Sequence, residues 1–426
     1  MKEYIALVIF AIVYVLIVGR IWFRIPIWVA MLIGAALMMA FQIIDVTSAI
    51  KSIQLDVIVF LFGMFSIVSA LDRSGVLRVV AVKMLSRAKT PNSLLMIFVV
   101  GMGLLSAFLV NDTIALVAIP LVVYISKHAG IKPIILLLGL AFGITIGSTM
   151  TPIGNPQNLL IAIQSGMSLP FTNFLKFLAI PTMISLFLTF YILKIYFKKD
   201  LLQVSHNYQS TVIQATIKDP NLAKISVTVL FLTIVGFFVS EVLHFLHIFE
   251  INLSIVALLG AATIYAVSRS RYEILQNVNY RILVLFVAMF IVTSALWTSG
   301  AVDLFLKDLP TPNPNNLLQS TALISVYSVT LSQILSNVPF VALYDHVMQV
   351  NGFTGAHVTQ WIILAASSTI AGNFTILGAA SSMIIIQAAE SRGVKAFSFL
   401  EFAKIGSVIT LVNLTVYYIF IVFLGI

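Results

Sequence analysis

Long apolar runs separated by short polar segments recur from one end of the chain to the other. Runs near 4–19, 25–44, 55–71, 131–163, 174–197, 225–243, 250–268, 281–297, 359–389 and 400–425 suit helices crossing a hydrocarbon core of roughly 30 Å. Two further apolar blocks, 93–126 and 318–347, carry polar residues in their middles. The stretch 198–222 is the one long polar linker, and 73–90 and 299–310 mix charged with apolar residues as interfacial helices do. The first run, Tyr4 to Val18, lacks the basic start and small-residue cleavage site of a signal peptide, so it reads as a retained helix. The pattern predicts an all-α integral membrane protein without a soluble domain.

The pattern also repeats. FGMFSIVSALDRSG (62–75) matches VAMFIVTSALWTSG (287–300), LLSAFLVNDT (104–113) matches TLSQILSNVP (330–339), and GSTMTPIGNPQN (147–158) matches GNFTILGAASS (372–382). These matches pair Asn111 with Asn337, Thr151 with Thr375 and Gly154 with Gly378. Gly75 and Gly300 pair as helix ends. The reading is one transmembrane domain, 1–426, made of repeat 1–197, a cytoplasmic linker 198–222 and repeat 223–426.

If the two interrupted blocks are re-entrant hairpins, each half has five crossings, a hairpin and a broken helix, and the halves lie inverted. Of the 24 Lys and Arg residues, all but Lys2, Lys51, Lys176 and Lys307 then fall on the linker side, the cytoplasmic side by the positive-inside rule. Both termini fall outside.

Composition narrows the chemistry. The chain is 60% hydrophobic and 9% charged with no cysteine, which excludes disulfides, iron–sulfur clusters and thiolate metal sites. The net charge of +9 is explained by its sidedness rather than by nucleic acid. No P-loop and no metalloprotease or activated-serine arrangement is present, so the expectation is a transporter, not an enzyme. An ATP-driven pump would need a separate ATPase subunit.

Irregular backbone at membrane depth is tolerated only where protein buries it or a watery cavity solvates it. Four such places occur: Val110–Thr113, Gly147–Asn158, Ser336–Pro339 and Gly372–Ser382. Broken helices in matching positions of two repeats point to a transport site, because restarted half-helices offer free N–H groups and a positive dipole end. The candidate substrate and ion ligands are Asn111, Asp112, Thr113, Thr151, Gly154, Asn155, Asn158, Ser336, Asn337, Asn373, Thr375, Gly378 and Ser381, with Ser382 beside them.

Asp112 is the carboxylate placed well inside the membrane, opposite Val338 in the repeat. An acid there is a functional candidate. It suits proton coupling, or a Na⁺ site with Asn111, Thr113 and Ser148. The competing structural reading is an N-cap of the second hairpin arm. Asp345, His346, His357 and Glu390 lie near segment ends and read as solvated or interfacial. His244, His247, Glu241 and Glu250 lie together on the outer side, where a metal site is not expected.

NDTIAL (111–116), TPIGNPQNLL (151–160), SQILSNVP (332–339) and the 372–382 loop resemble the ion transporter superfamily, the arsenite-permease and citrate-transporter group. The resemblance implies inverted repeats with two re-entrant hairpins whose tips and helix breaks bind substrate and ion. Sodium-coupled dicarboxylate members carry Ser-Asn-Thr at both tips. This chain has Asn-Asp-Thr and Ser-Asn-Val-Pro, nearer the arsenical-pump branch. The expected function is secondary active transport of a small anion or oxyanion, arsenite, antimonite or an organic carboxylate, across the inner cell membrane. H⁺ or Na⁺ is the coupling ion and no cofactor is needed. A Na⁺/H⁺ antiporter on the same scaffold is the alternative. Relatives resembling the chain suggest a homodimer.

Overall fold

The computed structural model describes residues 2–19, 25–205, 215–248, 251–302 and 310–423. Arg20, Arg24, Glu250 and Lys307 lie outside the described residues, as do the middle of the linker and most of the segment 299–310.

Every regular element among the described residues is helical. The first half contains α1 (Lys2–Val18), α2 (Ile27–Ala40), α3 (Val46–Ser52), α4 (Leu55–Ser74) and α5 (Val76–Leu85). The arms α6 (Pro91–Ser106) and α7 (Asn111–Ala129) follow, then α8 (Pro133–Gly147), α9 (Pro156–Gln164) and α10 (Pro170–Tyr196). After α11 (Lys198–Ser205) in the linker, the second half contains α12 (Pro220–Phe245), α13 (Leu253–Val267), α14 (Arg271–Gln276) and α15 (Tyr280–Thr298). It ends with arms α16 (Leu317–Leu335) and α17 (Asn337–Val350), then α18 (Val358–Ala371), α19 (Ala380–Glu390) and α20 (Phe399–Tyr418). Seven of the described helices are long and apolar enough to cross a membrane. Apart from α5, whose matching position in the second half falls outside the described residues, the order of elements in one half is the order in the other, as the internal matches require.

Local chemistry sets the boundaries. Thr90 and Ser93 form a capping box that spans Pro91 at the start of α6, and Ser398 and Glu401 form another at α20. Asp219 caps α12, with Pro220 in the first turn. Gly75 and Gly300 end their helices at φ 82° and 76°, a conformation that costs glycine little.

Contacts sort the loops onto two faces. On the linker face, the Lys218 N–H donates to Ser74 O at 2.9 Å, Arg73 pairs with Glu273 at 3.3 Å, and Lys132 pairs with Asp200 at 2.7 Å. The start of α6 packs on α11, and the chain leaving α7 reaches α11 through Lys132. Both ends of the first hairpin therefore open on the linker face. At the far end of α4, Asp56 accepts from Ser254 at 3.0 Å. There Glu241, 4% exposed, accepts from the N–H groups of Phe171 and Thr172 and from the Thr172 hydroxyl. It thus caps α10 from the other half. Gln349 Nε2 donates to Gln164 O at 3.1 Å, and Gln360 Nε2 donates to Pro314 O at 3.4 Å. Those bonds hold both ends of the second hairpin on the face away from the linker.

The halves exchange partners. α4 packs on α13, and its counterpart α15 packs on α2. α7 packs on α19, and its counterpart α17 packs on α9. The last helices of the halves, α10 and α20, meet through Thr182–Tyr417 at 2.7 Å and Asn413–Thr189 at 3.3 Å. A small core of α1, α2 and α15 stands apart from the main one, which surrounds the hairpins and breaks.

Candidate functional site

Each hairpin tip docks on the helix break of its own half through the same bond. The Asn111 N–H donates to Gly154 O at 3.3 Å, and the Asn337 N–H donates to Gly378 O at 3.2 Å. The residues paired by sequence repeat thus occupy the same structural role. α7 and α17 begin at these contacts, and α9 and α19 each begin two residues beyond them. Four helix N-termini meet in the interior, each adding a positive dipole end.

The first break is closed upon itself. α8 tightens into a 3₁₀ turn at Ser148–Met150, after which the backbone leaves helical geometry until Pro156. Thr151 Oγ1 donates to Ala107 O on the first hairpin. Asn155 Oδ1 caps α9 by accepting from the Asn158 N–H at 2.9 Å. Asn155 Nδ2 donates to Ser148 O and Ser148 Oγ. Asn158 Nδ2 donates to the carbonyls of Ser148, Thr149 and Thr151 at 3.1–3.3 Å. A Cβ on Gly154 would strike the Ser148 carbonyl, so the loop closes only around glycine.

Thr369 of α18 then ties the two breaks together. Its hydroxyl donates to Asn158 Oδ1 at 3.0 Å and accepts from Asn155 Nδ2 at 3.3 Å and Gln157 Nε2 at 3.5 Å. Ser148 is fully buried and close to Gly154, to which Asn111 also bonds, so these two of the residues suggested for a Na⁺ site share one neighbourhood.

The second break is differently furnished. Gln333 Nε2 donates to Ala371 O, and Gln333 Oε1 accepts from Thr375 Oγ1 at 2.8 Å. Ser336 Oγ donates to Gly378 O. Around this frame, Asn337 Oδ1, both side-chain polar atoms of Asn373, and the hydroxyls of Ser332, Ser381 and Ser382 are buried with no partner among the described residues. Ala379 precedes α19 and offers no side-chain cap, so the first-turn N–H groups there stay open, whereas α9 is capped by Asn155.

Asp112 is half-buried in the first turn of α7, and its carboxylate has no hydrogen-bond or ion-pair partner among the described residues. The N-cap position is Val110 with no side-chain cap bond, so the carboxylate does not cap the arm. Thr113 and Asn111 are likewise half-buried.

One sequence expectation is corrected. Asp345 is not solvated: it is 0% exposed, and neither carboxylate oxygen has a partner among the described residues. The burial follows from α17 being sandwiched between α9, α16 and α18. His346 and Glu390 are exposed. Glu241 is committed to capping α10, and no group of three or more metal-ligating side chains occurs among the described residues. Gln333 and Thr369 escape the sequence reading, and Asp345 is misplaced by it, because each lies inside an apolar helix one to three turns from a break. Thr369 does carry a signal, since Thr145 matches it at the offset that pairs Thr151 with Thr375.

Comparison with known proteins agrees with this architecture. The chain is 29% identical to an uncharacterized transporter of Mycobacterium tuberculosis over 96% of both chains. It is 25% identical to the silicon efflux transporter LSI3 of Oryza sativa subsp. japonica over 84% of both. The crystal structure of the Alcanivorax borkumensis YdaH transporter, described as having an unusual topology, covers 97% of this chain and 98% of its own. Its TM-score is 0.55 at 15% identity, a likeness of fold alone. The family described as citrate transporter matches residues 13–356, and on that match, with its apolar helices and docked hairpins, the chain belongs to the citrate transporter family of multi-pass membrane transporters.

Proposed function

We propose that the protein is a secondary active transporter of a small oxyanion or oxyacid, arsenite, antimonite or a small organic carboxylate being the candidate cargoes. Coupling is to H⁺ or Na⁺, and two inverted halves give alternating access. The observation that carries this reading is the orphaned polar set of the second break. Buried polar groups without partners cost about 1–3 kcal/mol each, and a solute that pairs with them recovers that cost. Asn337, Asn373, Ser381 and Ser382 supply neutral donors and acceptors, and the uncapped start of α19 adds N–H groups and a positive dipole end. No lysine or arginine stands among these residues, so a small cargo with little charge fits better than a polyanion. The opposite openings of the two hairpins support inversion of the halves.

Asp112, without a partner at the start of α7, is the candidate coupling group. It also favours the second reading, a Na⁺/H⁺ antiporter on the same scaffold. The test uses purified protein in liposomes with a trapped pH dye and a panel of arsenite, antimonite, silicic acid, succinate, citrate, Na⁺ and Li⁺. The rice relative's name puts silicic acid on the panel. We expect one oxyacid or carboxylate to move protons in the native protein and not in Asp112→Asn. Proton movement with Na⁺ or Li⁺ alone would establish the antiporter. If no solute moves protons, tracer uptake against a Na⁺ gradient decides between Na⁺ coupling and failure of the transport reading.

A further inference from the structure

We propose that Asp345 is a proton-binding site of the transport cycle, a second one apart from the hairpin tips, at the seam where α17 of one half meets α9 of the other. The proposal rests on the coupled-transport reading and adds a residue to it.

Asp345 is 0% exposed and both of its carboxylate oxygens are unpartnered among the described residues. It lies eight residues beyond the tip residue Asn337, about 12 Å along the helix. That places it between the meeting point of the four helix N-termini and the face where the second hairpin opens. Val341, Asp345 and Gln349 follow one another at the spacing of a single helix face. Gln349 donates to Gln164 O at the end of α9, so that face is turned to the half-helix of the first repeat.

Among the described residues, the elements packed on α17 supply no counter-charge to Asp345. α9 and α18 contain no titratable side chain. α16 contributes Tyr327, whose ring is 5.9 Å from that of Tyr344. α15 contributes Tyr280 and Arg281 at its first turn. Arg281 is about 24 Å along the helix from Trp297, the residue on which His346 packs. His357, ahead of α18, is engaged by the Thr354 N–H at 3.0 Å. On α17 itself, Tyr344 stacks on Phe340, and its hydroxyl too is buried with no partner among the described residues. An unpaired carboxylate costs far more in such a place than a neutral carboxyl, so the O–H form is the one this packing accommodates.

The molecule contains its own control. At the offset that pairs Asn111 with Asn337, Asp345 matches Ile119 on α7, and Ile119 is also 0% exposed. The α7–α19 seam is the structural counterpart of the α17–α9 seam. One seam is closed with isoleucine where the other keeps an acid. Packing therefore does not require a carboxyl at this point. An acid that architecture does not need, held where it cannot stay charged, is suited to take up a proton in one conformation. It releases the proton when the seam opens to water, leaving a solvated carboxylate.

The test begins with infrared difference spectroscopy of purified protein over a pH series, comparing the native chain with Asp345→Asn and Asp112→Asn. We expect a protonated-carboxyl band that declines as pH rises, shifts in D₂O, disappears in Asp345→Asn and persists in Asp112→Asn. A native spectrum whose band is untouched by Asp345→Asn overturns the proposal. A band that belongs to Asp345 but neither titrates nor exchanges also overturns it, since a static acid carries nothing. Loss of the band on adding Na⁺ at fixed pH would assign the site to the metal ion and overturn it as well. In liposomes, Asp345→Asn should reduce pH-gradient-driven accumulation of the active solute to background, and retained native accumulation counts against the proposal. If the native protein accumulates no solute, the transport reading fails while the spectroscopic arm still decides whether Asp345 binds a proton. Thermal unfolding of Asp345→Asn and Asp345→Ile guards against misfolding: both should unfold at or above the native temperature.

Discussion

Asn158 and Ser381 occupy neighbouring positions of the repeat and do opposite work. Asn158 spends its amide on three backbone carbonyls and a threonine hydroxyl, which fixes the first break. Removing it leaves several buried acceptors unpaired, so Asn158→Ala should lower stability by about 3 kcal/mol. Ser381 spends nothing, since its hydroxyl is buried without a partner among the described residues. Ser381→Ala should change stability by no more than about 0.5 kcal/mol, or raise it, while weakening solute uptake. Denaturant unfolding in detergent beside uptake in liposomes separates the two, and equal destabilisation would show that both breaks are merely structural. The residues at both breaks were legible in the sequence because Gly, Pro, Asn, Ser and Thr cluster there inside apolar runs. Their division of labour was not. Whether an amide is spent on its own loop depends on the carbonyls that the fold brings to it, and Asn155 and Asp112 look equally free in the sequence. Asp345 was misread for a related reason. Nearness to a segment end suggests solvent in a single helix, but α17 is the inner arm of a hairpin and has protein on several sides.

The elements themselves were the most legible level. Expected helices at 55–71, 174–197 and 281–297 appear as Leu55–Ser74, Pro170–Tyr196 and Tyr280–Thr298, and the two interrupted blocks appear as paired arms. Apolar length and capping residues carry this information locally. How closely elements approach was written in the sequence less directly. Gly139, Gly143 and Gly147 recur at four-residue spacing along α8, a stripe that lets helix backbones touch. A Cβ on Gly147 would fall on the Gly103 carbonyl and one on Gly143 on the Val99 carbonyl, both in α6. α6 meets this stripe with a π-helical turn over Ile97–Gly101. At the matching contact of the second half, Ser367 Oγ donates to Ser328 Oγ at 2.9 Å, a wider approach bridged by side chains. Gly147→Ala should therefore displace the first hairpin and cost about 2–3 kcal/mol. Ser367→Ala should cost about 1 kcal/mol. Folded yield by size-exclusion chromatography and proteolysis of the hairpin will rank the two. A mild Gly147→Ala would mean that α6 can shift away freely.

At the scale of the molecule, the hairpins carry the orientation. The mouth of the first hairpin lies with the linker through Lys132 and Asp200, and that of the second lies with Gln164 and Pro314 near the opposite end of the fold. A bilayer around this fold would put the two mouths in different compartments, and the clustering of Lys and Arg beside the linker predicts that the first mouth is cytoplasmic. The absence of cysteine allows a direct test, since an introduced thiol has no competitor. Lys127 is exposed at the first mouth and Val350 is 66% exposed at the second. Lys127→Cys should react with a membrane-impermeant maleimide only in opened cells or inside-out vesicles, and Val350→Cys should react in intact cells. The reverse pattern would keep the inverted halves but turn the molecule over, with uptake and efflux exchanging sides. Labelling of both from one compartment would mean that one hairpin crosses the membrane. The halves would then not be inverted, and the two breaks could not face one solute from opposite sides.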